Sequence, residues 1–258
     1  SGPVHEQFDT RRRLRIARDV IRRLFRFGIP GGIEFFMNLT AFNLFVLMFH
    51  SYGPDAAAAI TIAFNWDLVA FLPLIGLNIG ITSLVGRYMG AGQPDIASRT
   101  AFSGIKATAG YGLLMTYLFL FHTEALIAPF TNGGAPGDYD QVIPLAKTTL
   151  RIAALYVFGD GLIMVFDGVL RGAGDTQWTM RVSVTLHWIM TGACFILIKH
   201  TEASPVTSWS VFILLIYAIA IALILRYRNG YWRSIQVIDH EHAPIPVAPE
   251  IPAPPDVV

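Results

Sequence analysis

Six apolar segments, each close to the thickness of a bilayer, constrain this chain more than any other feature. They run approximately over residues 28–50, 57–85, 102–122, 145–170, 178–198 and 206–226. Each is long enough to cross about 30 Å of hydrocarbon at roughly 1.5 Å per residue. Inside hydrocarbon every backbone N–H and C=O must find its partner within the structure, so segments of this kind are read as helices. The expected fold class is therefore an all-α polytopic membrane protein with six transmembrane helices. Composition supports this: only 14% of residues are charged, where a soluble domain carries about 25%. The second segment is too long for a straight span, and Pro73, Gly76 and Gly80 are expected to kink or break it.

Charge between the segments sets the expected orientation. Eight arginines lie between Arg11 and Arg26. The turn after the second segment adds Arg87 and Arg99, the turn after the fourth Arg171 and Arg181, and the last flank Arg226, Arg228 and Arg233. Fifteen of the 19 basic residues thus fall on one side. The connection over 123–144, read as a loop, carries Glu124, Asp138 and Asp140 and no Lys or Arg. By the positive-inside rule both termini of this segment are expected in the cytoplasm, with the chain in the cell (inner) membrane. Net charge is only +1, and no feature points to nucleic acid. A single cysteine, Cys194 in an apolar run, excludes an internal disulfide.

Three regions are expected: a basic cytoplasmic linker over 1–26 that forms an amphipathic helix from residue 9; a membrane region over 27–228; and a Pro-rich, unstructured tail over 229–258. Residues 131–138 are read as a solvent-facing turn. The chain opens on Ser1 with no signal-peptide pattern, and is expected to begin inside a longer protein or at a processing or cloning scar.

Polar residues inside the spans are few: Glu34 and Asn38 in the first, Asp67 and Asn78 in the second, Asp160 and Asp167 in the fourth, His187 in the fifth. A charged side chain in hydrocarbon is costly and marks function by default. Asp160 and Asp167 are seven apart, so they share one face of the fourth helix. Counting along the helices places Asn38 and Asp160 both about 15 Å from the basic end, with Glu34 one turn nearer it. Spans one and four are therefore expected to line one cavity with Glu34, Asn38, Asp160 and Asp167. Asp67 counts to about 27 Å and is expected in the opposite half of the membrane. His187 is read as a buried, hydrogen-bonded residue. Gly159, Gly161 and Gly168 serve either a binding cavity or close helix packing.

Two turns at the basic end echo each other. One reads Val85-Gly86-Arg87-Tyr88-Met89-Gly90-Ala91-Gly92 and the other Leu170-Arg171-Gly172-Ala173-Gly174-Asp175-Thr176. Each glycine run suits a tight helix end, and the Arg suits the carbonyls or dipole there. Neither ends in Lys-Ser or Lys-Thr, which argues against a nucleotide site.

With these turns the chain resembles the multidrug and toxic compound extrusion (MATE) transporters, specifically the C-terminal six-helix half. Members of that family have twelve spans in two lobes, with a VGxxxGAG turn after each lobe's second helix and LRGxxDT after its fourth. Basic residues followed by Phe27-Gly28-Ile29-Pro30 resemble the approach to the family's seventh helix. The resemblance covers about residues 11–233. It implies a cation-coupled antiporter, driven by Na⁺ or H⁺, that exports amphiphilic organic cations. The implied partners are the N-terminal lobe of the same protein, the cationic substrate and the bilayer. No cofactor and no enzymatic activity are implied.

The resemblance also assigns residues. Asp160 falls on the cation-binding Asp of the fourth helix, and Tyr156 on an aromatic one turn before it. The first-helix carboxylate position is occupied here by Asn38, so Glu34, one turn away, is the carboxylate expected to supply that charge. Asp160 and Glu34 are the expected Na⁺ ligands, with Asp67 and Asp167 as further candidates for ion or substrate. Phe35, Phe36, Phe42, Phe45, Trp66 and Phe71 are available for cation–π contact or for packing. A flippase for lipid-linked precursors on a related scaffold and a non-transporting lobe remain as alternatives. Paired-aspartate catalysis does not fit, because Asp160 and Asp167 lie about 10 Å apart along one helix.

Overall fold

The computed structural model describes residues 18–132, 139–201 and 203–235. Helix α1 (Arg18–Phe49) continues through a 3-10 turn at His50–Tyr52 and is followed by α2 (Pro54–Gly90) and α3 (Pro94–Phe121). A short α4 (Thr123–Thr131) precedes α5 (Val142–Gly172), α6 (Thr176–His200) and α7 (Pro205–Asn229), and the described chain closes with a 3-10 turn at Tyr231–Ser234. No strand occurs among the described residues, and six helices are long and apolar enough to span a membrane. The expected all-α, six-span fold class is what the chain adopts.

Two local expectations meet a different outcome. The 37-residue α2 passes through Pro73 without a break. Proline removes the N–H that would serve the carbonyl four residues back, and the Tyr111 hydroxyl of α3 donates to the next carbonyl along, Ala70 O (2.9 Å). The connection read as a loop over 123–144 begins with α4, whose Ile127 is buried and whose Leu126 carbonyl accepts the Trp66 indole N–H (2.7 Å). Nine residues are too few to span, so a search for spanning segments passes over it. At the other end, the basic flank, expected to be an amphipathic helix, is helical from the first described residue, Arg18, and runs unbroken into the first span. Residues 1–17, most of the 131–138 turn and the Pro-rich tail from residue 236 lie outside the described residues.

Lipid tails are as apolar as leucine, so membrane helices associate through close packing and polar ties. That makes α5 the axis of the bundle: its most apolar window is 61% buried, against 22% for α1, α2 and α6. It packs most extensively on α2, then on α3 and α7, while α1 leans chiefly on α6 and barely touches α2. The α2–α5 seam is lined by small residues one turn apart. A Cβ on Gly168 would stand 3.0 Å from Asn78 O, one on Gly172 2.6 Å from Thr82 O, and one on Gly86 3.4 Å from Gly172 O. Close packing, rather than an open cavity, is the use the structure makes of Gly168.

The two echoing turns are structural copies. Gly92 (φ 68°) and Gly174 (φ 93°) each occupy the left-handed region that only glycine enters freely. Gln93 N donates to Tyr88 O and Asp175 N to Leu170 O, both at 2.8 Å, closing the same six-residue ring around each glycine. Asp175 starts α6, yet its carboxylate leaves that helix's N–H groups and pairs with Arg226 of α7 (Nε–Oδ2, 2.7 Å).

Candidate functional site

The polar residues of the membrane region gather in two centres rather than in one cavity. The first is built on α5 around Asp160, which is 8% exposed, and Tyr156, which is fully buried. Glycines on either side of Asp160 let neighbouring helices approach: Gly159 meets Ile216 of α7 and Gly161 meets Thr108 of α3. Across the α2–α5 contact stands Asp67, within electrostatic reach of both Asp160 and Tyr156. The ion pairs of the described residues all lie elsewhere, so these two acids have no basic partner there. The buried Tyr156 hydroxyl stands beside the Asp67 carboxylate without a hydrogen bond of full geometry. Two carboxylates within electrostatic reach of one another, with a tyrosine hydroxyl beside them, form a place where a positive charge is stabilised.

An aromatic cluster closes this centre. Tyr156 lies edge-on to Phe212 (5.4 Å between centroids), Phe45 stacks on Phe212 (5.4 Å), and Phe42 meets Phe64 edge-on (4.8 Å). Phe42 and Phe45 are thereby engaged in packing. Trp66 is tied to α4, Phe71 is partly buried, and Phe35 and Phe36 are exposed on α1.

The second centre lies nearer the basic end and is organised by Arg171. Its Nε donates to both oxygens of Asp167 one turn earlier (2.7 and 2.8 Å). Its Nη2 stands 2.6 Å from Glu34 Oε2 on α1. Asn78 of α2 adds Nδ2 contacts to Asp167 Oδ2 (3.0 Å) and to Met164 O (2.8 Å). Gly31 makes room for this bridge, since a Cβ there would stand 3.0 Å from Arg171 Nη1. The Arg expected to serve helix-end carbonyls instead joins two acids on different helices.

The six candidate residues therefore divide. Asp160, Tyr156 and Asp67 come together, and Glu34 and Asp167 come together through Arg171. Asn38 goes to neither: its Nδ2 donates to Ser183 Oγ of α6 (2.8 Å) and its buried Oδ1 has no partner. The expected pairing of Glu34 with Asp160 is not what the geometry shows, because Arg171 occupies the Glu34 carboxylate. His187 is hydrogen-bonded as expected, its Nδ1 2.8 Å from Ser183 O. No cluster of three or more His, Cys, Asp or Glu side chains suited to a metal ion occurs among the described residues. Sequence reasoning missed Ser183, one hydroxyl among many in α6, and the Asp175–Arg226 pair, whose partners are far apart in the chain.

Six spanning helices with inward-facing acids and an internal ion-pair bridge define a polytopic membrane protein with polar centres of the kind found in transporters. Comparison with known proteins narrows the class. The MatE family model matches residues 30–196. Similar relatives include a probable multidrug resistance protein NorM of Thermotoga maritima, 25% identical over 221 residues, which cover 85% of this chain and 46% of that protein. Another is a probable multidrug resistance protein NorM of Pseudomonas aeruginosa, 31% identical over 189 residues, covering 73% of this chain and 38% of that one. Among solved structures, a MATE in complex with MaL6 superposes with a TM-score of 0.75 at 16% identity, covering 85% of this chain and 49% of that chain. The chain belongs to the MatE family and spans about half the length of the curated relatives it matches.

Proposed function

We propose that this chain is the C-terminal lobe of a cation-coupled antiporter that exports amphiphilic organic cations, completed by an N-terminal six-helix lobe. The observation that carries the reading is the neighbouring pair Asp160 and Asp67, acids without a basic partner among the described residues, on the two most closely packed helices of the bundle. Family membership and the names of the relatives support export of drugs. The excess of Arg on one face supports cytoplasmic termini in the inner membrane.

The cycle follows from the geometry. With the centre open to the outside, Asp160 and Asp67 take up the coupling cation, Na⁺ or H⁺, with the Tyr156 hydroxyl as the adjacent polar group. Uptake removes the repulsion between the two acids. It thereby shifts the balance between outward and inward arrangements by the difference in cation affinity between them. The Glu34–Arg171–Asp167 bridge sets one guanidinium between two carboxylates and serves to tie α1 to α5. Drug passage runs between the two lobes, so this chain does not transport alone.

Dye efflux by the full-length parent tests the reading, comparing wild type with Asp160→Asn under imposed Na⁺ and H⁺ gradients. Export driven by one gradient in wild type and lost in the variant, at equal membrane levels, supports coupling at Asp160 and identifies the ion. Unchanged export in Asp160→Asn refutes the site. A wild-type parent that exports no cationic dye refutes the substrate class and leaves the flippase alternative.

A further inference from the structure

Where α7 leaves the bundle at the basic end, the chain reverses at Gly230 (φ 76°) into the Tyr231–Ser234 turn. The turn is firmly built. Trp232 is buried, its indole N–H donates to Tyr227 O (3.0 Å), and its ring stacks on that of Tyr227 (5.4 Å, 12°). The Tyr227 hydroxyl lies 2.8 Å from Ser98 Oγ of α3. Arg233 donates from Nη2 to the same Ser98 Oγ (3.0 Å), and its Nη1 is 3.5 Å from Asp95 Oδ1. This scaffold holds open a cleft of about 240 Å³ lined by Tyr227, Arg228, Gly230, Trp232 and Arg233.

The lining is doubly cationic and contains no carboxylate. Asp95, which meets Arg233 from outside the lining, is almost fully solvent-exposed, so its compensation is weak. Arg226 is not part of the cleft: it is committed to Asp175 and lies over the Tyr231 ring at 4.4 Å. Arg228 is exposed and continues one face of α7 whose earlier members, Leu214, Ile221 and Leu225, are all exposed apolar residues at helical spacing. Tyr231, half exposed, sits at the same level, where aromatic side chains mark the membrane–water boundary. An apolar strip of spanning helix therefore leads directly into a fixed cleft bearing two guanidinium groups.

We propose that this cleft binds the phosphate headgroup of an anionic phospholipid, with an acyl chain lying along Leu214, Ile221 and Leu225. Guanidinium groups match phosphate oxygens in charge and in paired donor geometry. A zwitterionic headgroup brings an ammonium that the two arginines repel, so the site discriminates in favour of net negative lipids. The strip supplies what a free phosphate cannot use, which separates a lipid from a soluble anion. The proposal is independent of the transport cycle, since none of its residues belongs to either acidic centre.

The purified chain in detergent is incubated with phosphatidylglycerol, with phosphatidylcholine of the same acyl chains, or with inorganic phosphate, and examined by native mass spectrometry. The expected result is preferential retention of phosphatidylglycerol. Each arginine contributes about fivefold, so Arg228→Gln weakens the preference by about that factor and Arg228→Gln/Arg233→Gln abolishes it. Because Arg233 also holds the turn, the single Arg228→Gln variant, whose exposed side chain supports nothing else, keeps the test valid if the double variant misfolds. Arg18→Gln/Arg22→Gln, basic but distant in sequence, retains the preference. Equal retention of both lipids, or an unchanged preference in Arg228→Gln, overturns the proposal. Binding of inorganic phosphate that excludes the lipid assigns the cleft to a soluble anion and overturns it as well.

Discussion

Gly172→Ala is the most direct test of the packing at the centre of this lobe. The added Cβ would stand 2.6 Å from Thr82 O and 2.9 Å from Val85 Cβ, where ordinary contact begins at 3.4 Å. Relief requires about 0.8 Å of separation, and the obstacle is backbone of α2 rather than the end of a flexible side chain. Overpacking of this kind costs about 1–3 kcal/mol. Replacing glycine with alanine in a helix interior returns up to about 1 kcal/mol, and less here because Gly172 is the last residue of α5. The net expectation is a loss of about 1–2 kcal/mol, a fall in melting temperature of roughly 2–8 °C for a chain of this size. Thermal unfolding of the purified chain in detergent, followed by loss of the monodisperse peak, reads this directly. Gly32→Ala is the control, because nothing lies within 4 Å of its Cβ position, and it is expected to melt at or slightly above wild type. A Gly172→Ala variant that melts no lower than Gly32→Ala would refute the α2–α5 contact as described.

Other predictions address the remaining features. Gly92→Ala and Gly174→Ala both force alanine into the left-handed region, so each is expected to cost about 1–2 kcal/mol; a difference of more than about twofold between them would show that the two turns are not equivalent. Asp175→Asn and Arg226→Gln break a largely buried pair, and a double-mutant cycle is expected to return a coupling energy above about 1 kcal/mol; a value near zero would show that the carboxylate and guanidinium act independently. The Lys147 ammonium at 2.6 Å holds the Glu124 carboxyl below the usual glutamate range. A depressed folded value means that any stabilisation is present at neutral pH and fades as pH falls through that value. An NMR titration is expected to show the Glu124 midpoint rising toward the ordinary value in Lys147→Gln, and an unmoved midpoint would remove Lys147 as the cause. Glu124 is fully exposed, so Glu124→Gln is expected to leave the melting temperature unchanged.

The sequence carried the spans and the two turns well because both depend on local chemistry. Hydrophobic length determines what crosses a bilayer, and glycine at Gly92 and Gly174 determines where the chain can reverse. Helix ends were less legible: the basic helix and the first span form one continuous helix in α1, and α2 runs from Pro54 to Gly90, since polar flanks continue a helix beyond the hydrocarbon. Grouping of the acids was the least legible part. Counting residues gives height along a helix and says nothing of which neighbour lies on which side. Asn38 and Asp160 share a height, yet Asn38 turns to Ser183 of α6 while Asp160 turns to Asp67 of α2. Asp67 was placed in the opposite half by the same counting. Its involvement depends on how α2 lies against α5, which no count along α2 alone contains. The Arg171 bridge escaped for a related reason: its Asp167 arm is an i,i+4 pair visible in the sequence, whereas its Glu34 arm exists only once α1 and α5 are side by side.

The dependence of α1 on α6 has a consequence for how the chain is made. Within this segment α1 is made before the other spans, but its principal packing partner is the fifth of the six. Until α6 is made, α1 has few packed neighbours, and the Glu34–Arg171 contact is its tie to α5. By contrast α3 emerges with α2 already present to pack on, and α5 with both α2 and α3. The bundle therefore condenses around α5 from the inside, and α1 is among the last of these helices to be fully docked. A truncation ending after α5 would hold a formed core with α1 attached to it chiefly through Glu34 and Arg171.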